Sequence, residues 1–324
     1  MRVSSRDLDV LVVGAGVCGL TAAICLAESG LRVGIRAERP PLETTSAAAG
    51  AMWGPYLVGP PGRVAGWGRE TLGILRRLAG EPGTGVRLVS GIEATRTQAE
   101  PPDWAASLAD FRQCGTGELP DGFATGWRFT APVATMPVYL GYLLSRFEAS
   151  GGQCQISPVA SLSDTSLAAP VIVNCTGIGA RDLVPDPAVV PVRGQVVVVT
   201  NPGISEFFVD GTEDASTEFP YMFPHGGTIL LGGTAEPGNW STQPDPATAE
   251  RIVRGATAIE PRLRGAEVVA HRVGLRPARP EVRLEAERRD GGGLLLHNYG
   301  HGGAGVSLSW GCALDITERI RRGG

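Results

Sequence analysis

What most constrains this chain is its beginning: a short, largely apolar run from Asp9 to Val13 stops at Gly14-Ala15-Gly16-Val17-Cys18-Gly19, a G-x-G-x-x-G pattern. Each glycine has a job in such a turn. The first permits the tight turn, the second lets a pyrophosphate approach the backbone, and the third lets helix and strand pack closely. Leu20, Ala23, Ile24 and Ala27 then recur at helical spacing until Ser29-Gly30, and Leu31 to Ile35 reads as a second strand. This is a βαβ unit, with the right-handed crossover that parallel pairing demands. The helix N-terminus offers free N–H groups and a positive dipole end to phosphate. Glu38, 19 residues past Gly19, follows the second strand, where a carboxylate can accept hydrogen bonds from a ribose diol; a solvated loop carboxylate is the plainer alternative. Dinucleotide binding is expected, with NAD and FAD both open.

Further along, the text between Pro55 and Pro132 is rich in Gly, Pro and Trp, with one helix expected from about Arg69 to Leu78. It reads as part of a second domain. Val138 to Ser150 has helical periodicity, with Pro137 suited to a first helical position, where its missing N–H costs nothing. Pro170 to Asn174 is an apolar run ending at Cys175-Thr176-Gly177, like another buried parallel strand. From Arg193 to Arg276 the pattern becomes alternating or β-branched, notably Gln195 to Thr200 and Thr228 to Leu231, which suggests an antiparallel sheet. Leu294 to Leu296 is a last short strand, before a glycine-rich stretch and a helix from about Val306 to Arg321.

At 324 residues the chain has room for about two domains. Twenty-nine basic against 33 acidic residues, well mixed, leave no cationic stripe for a nucleic-acid backbone. Six cysteines show neither a C-x-x-C pair nor zinc-ligand spacing, so no metal site is expected. Cys18 and Cys25 would stand about 10 Å apart along one helix, too far to bridge. Reduced thiols, no signal peptide and no membrane span make the cytoplasm the expected compartment.

Thr44-Thr45-Ser46-Ala47-Ala48-Ala49-Gly50 followed by Trp53-Gly54-Pro55-Tyr56 resembles the segment of D-amino-acid oxidases that runs along the flavin. Val173 to Gly177, Arg193-Gly194-Gln195, Pro220-Tyr221, Gly232-Gly233, Gly238-Asn239-Trp240, Gly274-Leu275-Arg276-Pro277 and His297 to Gly303 resemble the same family, in the same order. Several uncommon motifs spread from about Val10 to beyond Cys312 are more specific than any one of them. The resemblance implies FAD and an α/β fold: a Rossmann-like FAD-binding domain with a parallel sheet, of the glutathione-reductase type, and a second, substrate-binding domain with a large antiparallel sheet. The first would take residues 1–56, 132–190 and 281–324, the second 57–131 and 191–280.

It also implies roles. Arg276 would pair with the substrate carboxylate, for which a planar guanidinium supplies two parallel hydrogen bonds. An arginine before proline is, on pattern alone, more often an ion-pair residue. Tyr221 would reach the same carboxylate, and Gly303 would present its carbonyl to the amine, a position where a side chain would obstruct the substrate. Flavin contacts fall to Gly14, Ala15, Gly16, Val17, Cys18, Gly19, Glu38, Arg39, Thr44, Thr45, Ser46, Gly50, Ala51, Met52, Val159, Cys175, Thr176, Gly177, Arg276, Gly302, Gly303, Ala304, Gly305, Val306 and Ser307. The last of these open a helix whose dipole suits the negative charge of reduced flavin. Met52, Phe208, Phe223 and Thr217 would wall the pocket. Thr217 stands where mammalian-type enzymes carry a lid tyrosine, and Thr217 and Ala235 stand where D-aspartate oxidases would carry extra arginines. The implied reaction is oxidation of small neutral D-amino acids by hydride transfer from Cα to flavin N5, with O2 reduced to hydrogen peroxide. D-aspartate oxidase, a glycine or amine oxidase, an NAD-dependent dehydrogenase and a non-catalytic flavin module are alternatives, and a homodimer is left open.

Overall fold

The computed structural model describes residues 8–323 apart from 56–57, 107, 109, 165–166, 168, 213–217 and 290–291. In chain order the elements are β1 (Val10–Val13), α1 (Val17–Glu28), β2 (Val33–Ala37), α2 (Pro61–Leu78), β3 (Val86–Thr95), α3 (Asp103–Ala106), β4 (Arg112–Gln113), β5 (Thr125–Ala134), α4 (Met136–Ala149), β6 (Gln153–Ile156) and β7 (Val171–Asn174). They continue with α5 (Ala180–Leu183), β8 (Val190–Thr200), β9 (Phe207–Asp210), β10 (Glu218–His225), β11 (Thr228–Thr234), β12 (Glu236–Pro237), α6 (Pro246–Ile259), β13 (Val268–Arg288), β14 (Leu294–His301) and α7 (Gly305–Arg321). Two 3₁₀ turns, Pro41–Glu43 and Thr45–Ala48, follow β2.

The α/β fold combines parallel and antiparallel strands. β6, β2, β1, β7 and β14 are neighbours in that order and pair in parallel. β1 is buried throughout because both faces are covered: Val10 and Val12 pack with α1 and α7 residues, Leu11 and Val13 with Leu162, Leu167 and Ile172. A strand with no solvent face must be apolar at every position, which is why β1 reads as a run rather than an alternation. Beyond β14 the order continues β13, β8, β11, β10, β9, β3, β5, β4, antiparallel except for the parallel β3–β9 pair. β13 joins the two parts. Residues 268–278 pair with β8 and residues 283–288 with β14, the register shifting between Ala278 and Arg283. The expected boundary at 280/281 therefore falls inside one strand.

The expected elements appear with shifted ends: the second strand runs Val33–Ala37 rather than from Leu31, and α2 starts at Pro61 rather than Arg69. α6, β3 and β5 are additional to the expected pattern. α2, assigned by sequence to the second domain, lies instead along α7. Trp67 donates to Asp315 at 3.0 Å, the Gly311 N–H donates to Thr71 Oγ1 at 2.9 Å, and a Cβ on Gly311 would come within 2.2 Å of the Trp67 carbonyl oxygen. Glycine at 311 is what allows the two helices to approach so closely.

Candidate active site

Two helix amino ends meet beside the parallel strands. At the first, Gly14 has φ +112° and Gly16 is the N-cap of α1, supplying no side-chain cap of its own. The closeness comes from missing side chains: a Cβ on Gly14 would be 2.4 Å from the Cys175 carbonyl oxygen, and one on Gly19 would be 2.0 Å from that of Gly14. The first intrahelical bond is Leu20 N–H to the Gly16 carbonyl, so the N–H groups of Val17, Cys18 and Gly19 have no acceptor within the helix. Ser46 Oγ accepts from Val17 at 3.0 Å. α7 begins in the same manner, its first helical bond running from Leu308 to Ala304. Cys18 Sγ lies 3.8 Å from both the Gly305 carbonyl oxygen and His301 Nδ1, which ties the two ends together.

Thr44, Thr45 and Ser46 turn across these ends. Thr45 Oγ1 donates to the Leu275 carbonyl at 3.2 Å, docking the turn on β13, while Thr44 Oγ1 caps the preceding turn at Pro41. Gly50, Ala51 (φ 58°) and Met52 come next; a Cβ on Gly50 would touch the rings of Phe223 at 2.7 Å and Tyr221 at 3.1 Å. Met52 bridges to Val133. Glu38 and Arg39 are exposed after β2, 3.9 Å apart. Cys175, Thr176 and Gly177 close the end of β7, and Val159 lies half-buried against the Leu11–Val13 face.

Arg276, on β13, is half-buried and folds its guanidinium over Gly194 of β8: a Cβ there would be 2.4 Å from Nη1. Nη1 donates to the Thr234 carbonyl at 2.8 Å, and the guanidinium charge acts on the nearby Tyr221 hydroxyl. Burial pushes the Tyr221 phenol up and the Arg276 charge draws it part of the way back, so it stays protonated at neutral pH. The Tyr221 ring lies on Gly232 and Gly233, where a Cβ would come within 2.0 Å and 2.6 Å of it, and stacks on Phe223 at 5.0 Å. Gly303 adjoins Arg276; a Cβ there would be 3.6 Å from Arg276 Cδ. Arg276, Tyr221 and Gly303 thus share one place with the two helix ends and the 44–52 segment.

One expected pocket residue is misplaced. Phe208 is opposite Met222 of β10 and shares its face, packing with α6, whereas Tyr221 and Phe223 face the other way. Alternation of side chains along a strand makes this unavoidable, and Phe207 and Val209 occupy the site's face instead. Thr217 lies outside the described residues. Sequence reading also passed over Gly194 and Thr234, which fix the guanidinium; the Arg193-Gly194-Gln195 motif was the available signal for the first.

Residues 9–319 match the family described as FAD dependent oxidoreductase. The chain belongs to that family. It is 52% identical to a D-amino-acid oxidase of Rubrobacter xylanophilus, covering 98% of this chain and 96% of the relative, and 47% identical to one of Streptomyces coelicolor, covering 97% of each. A human D-aspartate oxidase is 37% identical over 96% of this chain and 94% of its own length. In fold it is similar to glycine oxidase from Geobacillus kaustophilus, with TM-score 0.81, 21% identity and coverage of 97% and 95%.

FAD is the cofactor of this family, and the residues fit it. A diphosphate needs an anion-binding backbone surface, which the amino end of α1 supplies through its N–H groups without a helical acceptor, other than that of Val17, which Ser46 takes. A Cβ on Gly16 would stand 3.2 Å from Ser46 Oγ and fill that surface. The amino end of α7 offers a second positive pole alongside.

Proposed function

We propose that this member of the family oxidatively deaminates D-amino acids, with neutral side chains preferred over acidic ones, giving imino acids that hydrolyse to 2-oxo acids and ammonia while O2 becomes hydrogen peroxide. The observation that carries this is the Arg276–Tyr221 pair beside Gly303: a cation and a neutral hydroxyl converge where a carboxylate would be held, with a backbone carbonyl next to them. The D-amino-acid oxidase relatives at 47–52% identity support the substrate class.

When bound, FAD supplies a two-electron acceptor that O2 can reoxidise. The protein's own part is placement. Arg276 binds the carboxylate in two parallel hydrogen bonds, and the Thr234 carbonyl holds the guanidinium while it does so. Tyr221 donates its hydroxyl proton in a hydrogen bond to the same carboxylate. The Gly303 carbonyl accepts from the substrate amine. Three fixed attachments leave one direction for the Cα hydrogen, which selects one enantiomer, and orientation rather than a side-chain acid or base supplies the rate. Gly14 to Gly19, Glu38, Arg39, Thr44 to Ser46, Gly50 to Met52, Val159, Cys175 to Gly177 and Gly302 to Ser307 are the proposed cofactor contacts, with Met52 and Phe223 as pocket walls. The glutathione-reductase type of arrangement, the division at residues 56, 131, 190 and 280, and a cytoplasmic location belong to the same proposal. Among the described residues no helix is long and apolar enough to cross a membrane, and the six cysteines are unpaired.

Anaerobic addition of D-alanine to the yellow holoprotein tests the reading directly: bleaching of the flavin absorbance is expected, and a spectrum indifferent to every D-amino acid overturns it. Peroxide assays should also show D-alanine outperforming D-aspartate. A preference for D-aspartate would overturn the inference drawn from Thr217 and Ala235.

A further inference from the structure

We propose that Glu93 forms the far end of the same substrate site and extends its range to D-amino acids whose side chains end in a cation, a conclusion that rests on the oxidase reading above. The placement follows from register. Glu93 of β3 is opposite Val209 of β9, and Val209 is opposite Tyr221 of β10. Directly paired residues project on the same face, so Glu93, Val209 and Tyr221 form one row, two strand spacings or roughly 10 Å from end to end at the backbone. Burial agrees. The flanking Ile92 and Ala94 pack with the α6 cluster, whereas Trp127, opposite Glu93 on β5, packs with Tyr221, Phe223 and Phe207 in the other.

The carboxyl is half-buried among apolar neighbours, yet has neither hydrogen bond nor ion pair to a described residue. Burial alone pushes it up to about 7, and no cation draws it back. It leans over Gly211, where a Cβ would be 2.9 Å from Oε1, so no side chain at that position covers it. A half-buried carboxyl with no partner among the described residues is poorly solvated, and such groups concentrate where a ligand supplies the partner. Arg276 stands three strands beyond Tyr221 in the sheet order, but its guanidinium reaches back over Gly194 toward the Tyr221 hydroxyl, so the face carries a cation on that side for the substrate's α-carboxylate and an acid, Glu93, on the other. Lysine- or ornithine-length side chains, reaching roughly 5–7 Å from Cα, extend toward it; alanine does not. An acidic side chain would be repelled, which agrees with the expected weakness of D-aspartate.

Steady-state kinetics of the holoenzyme on D-lysine and on D-norleucine, its uncharged counterpart of similar length, test this in wild type and Glu93→Gln. The ratio of kcat/KM for D-lysine over D-norleucine should fall about 10- to 100-fold in the variant, mainly through KM, as expected for loss of a charged hydrogen bond. Glu93→Asp, which keeps the charge, should recover part of that ratio; a purely structural role would lower both substrates together and leave the ratio fixed. A fixed ratio in Glu93→Gln, or a wild type that oxidises D-norleucine but not D-lysine, overturns the proposal. Failure of the oxidase reading looks different: no D-amino acid would bleach the flavin at all.

Discussion

The role proposed for Arg276 depends on two neighbours that leave it room and hold it still. Its guanidinium rests on Gly194 and is pinned by the Thr234 carbonyl. Arg276→Met should remove the partner of a desolvated carboxylate, at about 3–5 kcal/mol, or on the order of a hundred- to several-thousand-fold in kcat/KM. Near-wild-type kinetics on D-alanine would reject its assignment. Gly194→Ala is the subtler test. A methyl group there would meet Nη1 at 2.4 Å, and the guanidinium, being the free end of a flexible side chain, is what must move. The expected outcome is a raised KM for D-alanine with the flavin spectrum and melting temperature little changed, since the fold need not shift. A variant that melts early but binds substrate normally would show that Gly194 serves the sheet and not the arginine.

At the scale of elements, helices close-packed through glycine are the sensitive joints. Gly311→Ala inserts a methyl group against the Trp67 backbone, 2.2 Å from its carbonyl oxygen, and overpacking of this kind costs about 1–3 kcal/mol. Thermal unfolding should drop by several degrees; an unchanged midpoint would mean that α2 and α7 can part freely. The same joint marks where sequence reading ran out. β1 and α1 were legible because their signals are local, a buried run and a glycine turn. The docking of α2 on α7 joins residues more than 200 apart, such as Trp67 and Asp315, and nothing in either segment names its partner. α6 carries its own start signal, Asp245 accepting from Thr248 with Pro246 in the first turn, but it is embedded in β-branched text that reads as sheet. Phe208 failed for a related reason: an aromatic beside an aromatic, Phe207, gives no parity until the register of β9 on β10 is known. The candidate site's groups were proposed from motifs; which face each occupies is set by pairing, which a motif does not record.

The whole molecule should respond to acid through its buried titratable groups. His225, hydrogen-bonded to Thr135 at 3.1 Å, is lowered to about 4 by burial and then by the charges of Arg87 and Arg272, and His301 is lowered to about 4 by burial. Both are neutral when folded, whereas the unfolded chain protonates them near the ordinary 6.5. Their stabilisation is fully present above that value and is lost as pH falls through about 4, on the order of 3 kcal/mol for each. Glu93 acts with the opposite sign. Raised to about 7, it favours the folded state below the ordinary 4.5, a contribution lost as pH rises through about 7, so it offsets part of the histidine effect across the same window. His297, also lowered by burial, acts in the same direction, so three histidines against one carboxyl give a net loss of stability on acidification from about pH 7 to about pH 4.5. Urea midpoints followed by tryptophan fluorescence should therefore fall across that range. Glu93→Gln should steepen the fall, because the opposing group is gone, while His225→Gln should flatten it. A flat wild-type profile, or a Glu93→Gln profile shallower than wild type, would mean that these groups are not desolvated as the packing requires, and the unpartnered Glu93 carboxyl, two strands from Tyr221, would lose its physical basis along with them.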